Sequence, residues 1–182
     1  NPPDADLAVV LAVAGGQQAG YIYSTLLWAS HAAIWSGSSS SFKDLNPSWS
    51  SSSMICGTTG TRQAGYVTGP GYQVHAGIWA GSAASFVDLH PGGLGSSIAY
   101  AIADNQQAGM VGSGGHRHAA TWAGTPASFR DLNPPGAEYS EIWATTRRQQ
   151  AGYADGHAGI WSGTAESFVD LNPAGATFSK AL

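Results

Sequence analysis

Four histidines stand at one fixed spacing from an aspartate. His31, His75, His118 and His157 each precede an Asp by 13 residues: Asp44, Asp88, Asp131 and Asp170. Imidazole and carboxylate together could ligate a metal, exchange protons, or hold a structural hydrogen bond. An active site needs one asymmetric constellation, whereas here the same pair recurs in every copy. No Cys or clustered carboxylate completes a zinc-type ligand set around any of these His residues. The pairs are therefore expected to form a structural network, with no catalytic residue, no metal and no cofactor.

Each His also stands 4 residues before a Trp: Trp35, Trp79, Trp122 and Trp161. Such a Trp could present a flat face to a sugar ring, or fill the space between neighbouring units as a wedge. Fixed spacing favours the wedge, because close contact in a core preserves spacing. The Ser that follows in each copy (Ser41, Ser85, Ser128, Ser167) reads as a turn hydrogen-bonder. No Gly-x-Ser-x-Gly elbow surrounds it.

These residues belong to a repeat. A Gln-Ala-Gly signature recurs at Gln18, Gln63, Gln107 and Gln150, in steps of 45, 44 and 43 residues. From each of the first three His residues to the next such Gln the distance is a constant 32. The length variation lies between the signature and the following His, so each unit is a fixed block plus one surface loop. The block reads as four strands. Strand A is apolar, as in Leu7 to Ala14; strand B carries Gln-Ala-Gly; strand C is His-Ala-x-x-Trp; strand D is Ser-Phe-x-Asp-Leu, stopped by Pro. The Gly of strand B marks a place where a neighbouring backbone or ring comes close. Asp155-Gly156 is a hairpin signal. No helical periodicity is apparent.

The expected fold is all-β: a β-propeller of four-stranded antiparallel blades, in four repeats of about 43 residues. The array is expected to be a single domain over 1–182. Its units run roughly 1–46, 47–90, 91–133 and 134–172, and 173–182 begin a fifth repeat or a closing strand. Asn1-Pro2-Pro3 aligns with Asn133-Pro134-Pro135 at the head of such a unit.

Composition narrows the function. Charged residues are 10% of the chain, against about 25% in an ordinary domain. The net charge is −4, and no basic stripe is present to neutralise phosphates, so nucleic acid is an unsuitable partner. No run reaches the ~18 apolar residues of a membrane span. Leu7 to Ala14 is short and lacks a basic flank, so neither a signal peptide nor an anchor is expected within this sequence. The single Cys56 reads as a small buried hydrophobe. The variable B–C loops are the better place for recognition, with Tyr23, Trp28, Tyr72, His116 and Arg117 expected to project from one face.

A strand ending Ala101-Ile102-Ala103-Asp104-Asn105, then Gln107 and Gly109, then His118-Ala119 and Trp122, then Asp131-Leu132, resembles the HAF-family extracellular repeat of bacteria. The resemblance runs through all four repeats. The Phe that the family places after His-Ala is Ala33, Gly77, Ala120 or Gly159 here, and its Asp-Leu-Gly end is Asp-Leu-Asn-Pro or Asp-Leu-His-Pro. The resemblance implies a propeller-like, exported protein, located extracellularly or at the cell surface, and carries no activity with it. The function expected is a non-enzymatic binding or self-assembly module, with itself, other extracellular proteins or glycans as partners. The alternative is a lectin-like propeller using Trp35, Trp79, Trp122 and Trp161, and a glycosidase or lyase is the least favoured reading.

Overall fold

A computed structural model describes residues 5–181. The aligned Asn1-Pro2-Pro3 lies outside the described residues. The chain forms four antiparallel four-stranded sheets, each a meander in chain order. The first contains β1 (Leu7–Ala14), β2 (Gln17–Ser24), β3 (Ala29–Trp35) and β4 (Lys43–Asp44). The second contains β5 (Ser52–Thr58), β6 (Gln63–Thr68), β7 (Val74–Trp79) and β8 (Val87–Asp88). The third contains β9 (Ser97–Ala103), β10 (Gln106–Ser113), β11 (His116–Trp122) and β12 (Arg130–Asp131). The fourth contains β13 (Ser140–Thr145), β14 (Gln150–Ala154), β15 (His157–Trp161) and β16 (Val169–Asp170). The only helical elements among the described residues are short 3-10 turns.

The last strand of each sheet is shorter than the sequence suggests. Its Ser ends a 3-10 turn instead of extending the strand. The Ser41 hydroxyl accepts from the Ser36 N–H at 2.7 Å and donates to the Ser38 carbonyl at 2.6 Å, which closes the turn. Ser85, Ser128 and Ser167 repeat this geometry. The B–C connections are also tighter than expected. Tyr23 lies on β2, and His116 and Arg117 lie on β11, because Gly114-Gly115 alone makes that turn.

One constraint recurs in every sheet. The first strand carries a bulge that leaves Leu11, Cys56, Tyr100 or Trp143 without a cross-strand partner. A bulge bends the strand and drives its backbone towards the neighbour. The neighbour there is the signature glycine. A Cβ on Gly20 would sit 2.0 Å from the Val9 carbonyl oxygen, and one on Gly65, Gly109 or Gly152 would sit 1.9 Å from the equivalent oxygen. The expectation of close backbone approach is met, and the partner is a carbonyl.

Neighbouring sheets stack face to face. The first strands lie side by side (β1 with β5, β5 with β9, β9 with β13), and among the described residues no comparable contact joins the fourth sheet to the first. Each interface is one apolar cluster. Ala19, Ala32, Ile34 and Leu45 of the first sheet meet Ile55, Val67 and Trp79 of the second. The same positions meet between the second and third sheets and between the third and fourth.

Gly65→Ala is expected to destabilise the chain by about 3 kcal/mol, since a fixed carbonyl occupies the space of the new methyl. Gly92, with nothing near its Cβ position, should tolerate Ala within about 0.5 kcal/mol. Urea denaturation of the two variants checks both outcomes.

Candidate functional site

The repeated polar residues are occupied with one another. His31, His75, His118 and His157 each place Nδ1 2.8 Å from the Oδ2 of Asp44, Asp88, Asp131 and Asp170. The second oxygen of each Asp accepts the backbone N–H two residues on, at 2.7 or 2.8 Å. Each Asp thereby ties strand C to the turn that ends its sheet. The His157 hydrogen bond, followed by that of the Asn172 N–H, holds the Asp170 carboxyl below its ordinary value. Among the described residues no group of three or more His, Cys, Asp or Glu could hold a metal.

Two further networks escaped the sequence reading. The signature Gln accepts from the backbone N–H of the Gly in the C–D turn: Gly37 to Gln18, Gly81 to Gln63, Gly124 to Gln107 and Gly163 to Gln150. A Ser at the head of one sheet reaches back to the sheet before it. Ser53, Ser97 and Ser140 accept from the Ala32, Ala76 and Ala119 N–H groups at 2.8 or 2.9 Å. Ser53 and Ser140 also bond Asn46 and Asn133, and His90 takes the Asn position beside Ser97. His90 stacks on His75 at 4.0 Å, and burial, then the neighbouring His75, lowers its pKa. The signal was the 7-residue spacing shared by Asn46–Ser53, His90–Ser97 and Asn133–Ser140.

Three of the four repeated Trp residues are wedges between sheets. Trp79, Trp122 and Trp161 are fully buried between sheets, and Trp35 is buried beside Phe42 and Ile22. Burial leaves no open ring face at Trp79, Trp122 or Trp161, whereas Trp35 lines a surface cleft with Ala8, Val10 and Gln18. Each Trp contacts the Phe of its own repeat. The centroids are 5.1 and 4.8 Å apart where Gly77 and Gly159 lie beneath the Phe, and 5.8 and 6.1 Å apart where Ala33 and Ala120 do. A Cβ on Gly77 or Gly159 would fall 2.1 Å from that Phe ring.

Against this regularity one cluster stands out. By register Glu141 occupies the position of Val9, Met54 and Ile98. It is buried, and Arg117 Nη1 donates to its Oε1 at 2.7 Å. Arg117 occupies the position of Ser30, Val74 and Gly156, each one residue before its strand-C His. Two departures from the repeat thus meet and pair. No acid–base cluster was evident in the sequence because the partners lie 24 residues apart on adjacent sheets. Burial, then the nearby Glu141, raises the pKa of the Tyr153 phenol, and the same two causes raise that of Tyr100. Tyr100 stacks on Trp143 at 4.2 Å. Cys56 sits on a bulge, half-buried, and burial pushes its thiol up to about 12, so it stays protonated.

Arg117 and Tyr153 line an open cleft of about 660 Å³ with Glu138, Tyr139, Phe178 and Lys180. The Lys180 ammonium lies 4.7 Å from the Tyr153 ring centroid. Asp155 at the rim is committed to backbone, accepting from the Tyr139 N–H at 2.8 Å and the Glu138 N–H at 3.0 Å. Its left-handed φ of 47°, followed by 83° at Gly156, makes the tight hairpin expected there. Arg117 has five N–H donors and Glu141 takes one, so the cleft offers free donors beside aromatic faces. Such a surface suits binding of a polar, ring-containing ligand.

The expected loop residues divide. Trp28 and Tyr72 are 82% and 87% exposed on B–C connections, with left-handed φ values of 50° and 62°. Leu26 and Leu27 are exposed beside Trp28. Tyr23 is half-buried on its strand. His116 is half-buried and lies 5.1 Å from Tyr139, while Arg117 serves Glu141. Tyr23, His116 and Arg117 are therefore strand residues, not loop groups.

No family model matches the sequence, and no curated protein matches it. A solved structure of acylaminoacyl peptidase from Pyrococcus horikoshii is similar over 88% of this chain, with a TM-score of 0.58 and 11% identity. The match covers 26% of that protein, so this chain spans about a quarter of its length. That neighbour is β-propeller-like, and the likeness shows the fold alone.

Arg117→Ala is expected to cost about 3 kcal/mol by leaving the buried Glu141 carboxylate unpaired. Adding Glu141→Met, the residue type of Met54 at that position, should return most of the loss. Chemical denaturation of the single and double variants checks this. A neutral single variant would contradict the pairing.

Proposed function

We propose that the chain is a non-enzymatic, propeller-type binding module of the cell exterior, with recognition on the end formed by its B–C connections. The observation that carries this reading is Trp28 and Tyr72. Two large aromatic side chains stand almost fully in solvent on left-handed backbone, which is unfavourable for folding on both counts. Strain and apolar exposure of this kind collect at recognition sites. The repeated His, Asp, Gln and Ser side chains are spent on holding turns and sheets, which supports a role without catalysis. The HAF-like pattern supports export.

A second reading, binding of saccharides, is favoured by the cleft beside Arg117. Aromatic faces at Tyr139, Tyr153 and Phe178 alternate there with Arg117 and Lys180. Sugar recognition needs this mixture of flat apolar surface and fixed donors.

The test is a glycan array and a panel of peptide and glycoside substrates, each probed with the wild-type chain and a Trp28→Ala, Tyr72→Ala variant. Both side chains are exposed, so the variant should keep its melting temperature within about 2 °C. Binding without turnover, lost in the variant, is the expected result. Turnover of any substrate by the wild-type chain would contradict the reading.

A further inference from the structure

One junction between sheets is latched by a group that titrates. Where one sheet docks on the next, a Ser hydroxyl of the later sheet accepts a backbone N–H of the earlier one: Ser53 from Ala32, Ser97 from Ala76 and Ser140 from Ala119. The hydroxyl has one hydrogen of its own to give. Ser53 gives it to Asn46 Oδ1 at 2.6 Å, and Ser140 to Asn133 Oδ1 at 2.5 Å. The same two Asn residues donate from Nδ2 to a carbonyl 4 residues on, that of Ser50 or Ala137. At the junction of the second and third sheets the partner of Ser97 is His90.

His90 reproduces both halves of the Asn contact with its two ring nitrogens. Nδ1 lies 2.9 Å from the Ser97 Oγ, and Nε2 lies 3.2 Å from the Leu94 carbonyl oxygen, again 4 residues on. A carbonyl only accepts, so Nε2 carries the hydrogen. A neutral ring has one such hydrogen, so Nδ1 is bare and accepts from Ser97. One state of the ring meets both demands, the neutral Nε2–H tautomer. A further proton would sit on Nδ1 and face the Ser97 hydroxyl hydrogen. The hydroxyl would then have to turn, and the grip on the Ala76 N–H would turn with it.

The surroundings oppose the same proton. His90 is half-buried, and its ring stacks on His75 at 4.0 Å with 14° between the planes. Charge on either ring raises the cost of charge on the other. The charged and titratable side chains that act on His90 are His75 from β7 and Asp88 from β8. Asp88 favours the proton, but its Oδ2 is engaged by His75 and its Oδ1 by the His90 backbone N–H. The contact from β9 is the neutral hydroxyl of Ser97. Burial, then His75, hold the His90 pKa below its ordinary value of 6.5.

We infer that the junction of the second and third sheets is a pH-sensitive latch, closed while His90 is neutral and loosened when its ring takes a proton. The junctions latched by Asn46 and Asn133 carry no titrating group at this position, so mild acid loosens the array at one chosen place. The unfolded chain binds this proton more readily than the folded chain does. The latch therefore contributes fully above about pH 6.5, and its contribution is lost as pH falls from there through the depressed value.

Amide hydrogen exchange of Ala32, Ala76 and Ala119 at about pH 7.5 and about pH 5 tests this, each rate taken relative to the unfolded chain at the same pH. The three amides are equivalent, and each follows its own strand-C His, so any effect of the His–Asp pairs is common to all three. On acidification Ala76 is expected to lose protection about ten-fold more than Ala32 and Ala119. His90→Asn, which installs the residue used at the other junctions, should abolish that extra loss. It should also make the acid-induced fall in melting temperature smaller by at least about 2 °C. An equal response of the three amides in the wild-type chain would overturn the proposal whether or not the variant folds. An extra loss at Ala76 that persists in His90→Asn would overturn it as well.

Discussion

The contact between neighbouring sheets is the interaction on which the rest of this structure depends. A four-stranded sheet of about 40 residues cannot bury both of its faces alone. Here the buried side chains of one sheet are small (Ala19, Ala32), so the sheets approach closely and a Trp from the next fills the remaining depth. With charged residues at only 10% of the chain, burial of these faces is the main source of stability. Stability in such an array is approximately a sum over sheets and nearest-neighbour interfaces. The bulge opposite the signature glycine serves this contact, since it bends each first strand where adjacent first strands run side by side.

Hydrogen bonds then fix what apolar contact leaves free. The Asp of each repeat clamps a strand to a turn, the Gln pins the next turn, and the Ser of one sheet grips the backbone of the preceding one. Each bond is modest, on the order of 1 kcal/mol. Their effect is registration. A one-residue slip would turn every Ala and Trp away from its partner face. Because these groups are committed to architecture, the recognition role proposed above rests on residues that vary among the repeats: Trp28, Tyr72, and the cleft beside the Arg117–Glu141 pair.

The repeat, the four strands per unit and the constant His–Asp spacing were legible because constant spacing reports contacts that every unit must make. The close approach at Gly65 was legible for the same reason. What remained hidden had two causes. Loop and strand could not be told apart at Tyr23, His116 and Arg117, because two glycines suffice for a turn in the third repeat while the first uses residues 25–28. The Arg117–Glu141 pair was hidden because it joins two repeats: neither residue is unusual in its own segment, and only the cross-strand register brings them together.

Amide hydrogen exchange, followed residue by residue in a dilute solution of single chains, tests the dependence of each sheet on its neighbours most directly. β2, β6 and β10 are equivalent strands that differ in how many faces of their sheet are covered. The account predicts slow exchange along β6 and β10, whose sheets are covered on both sides, and markedly faster exchange along β2, whose sheet is covered on one. Equal protection of all three strands would contradict it.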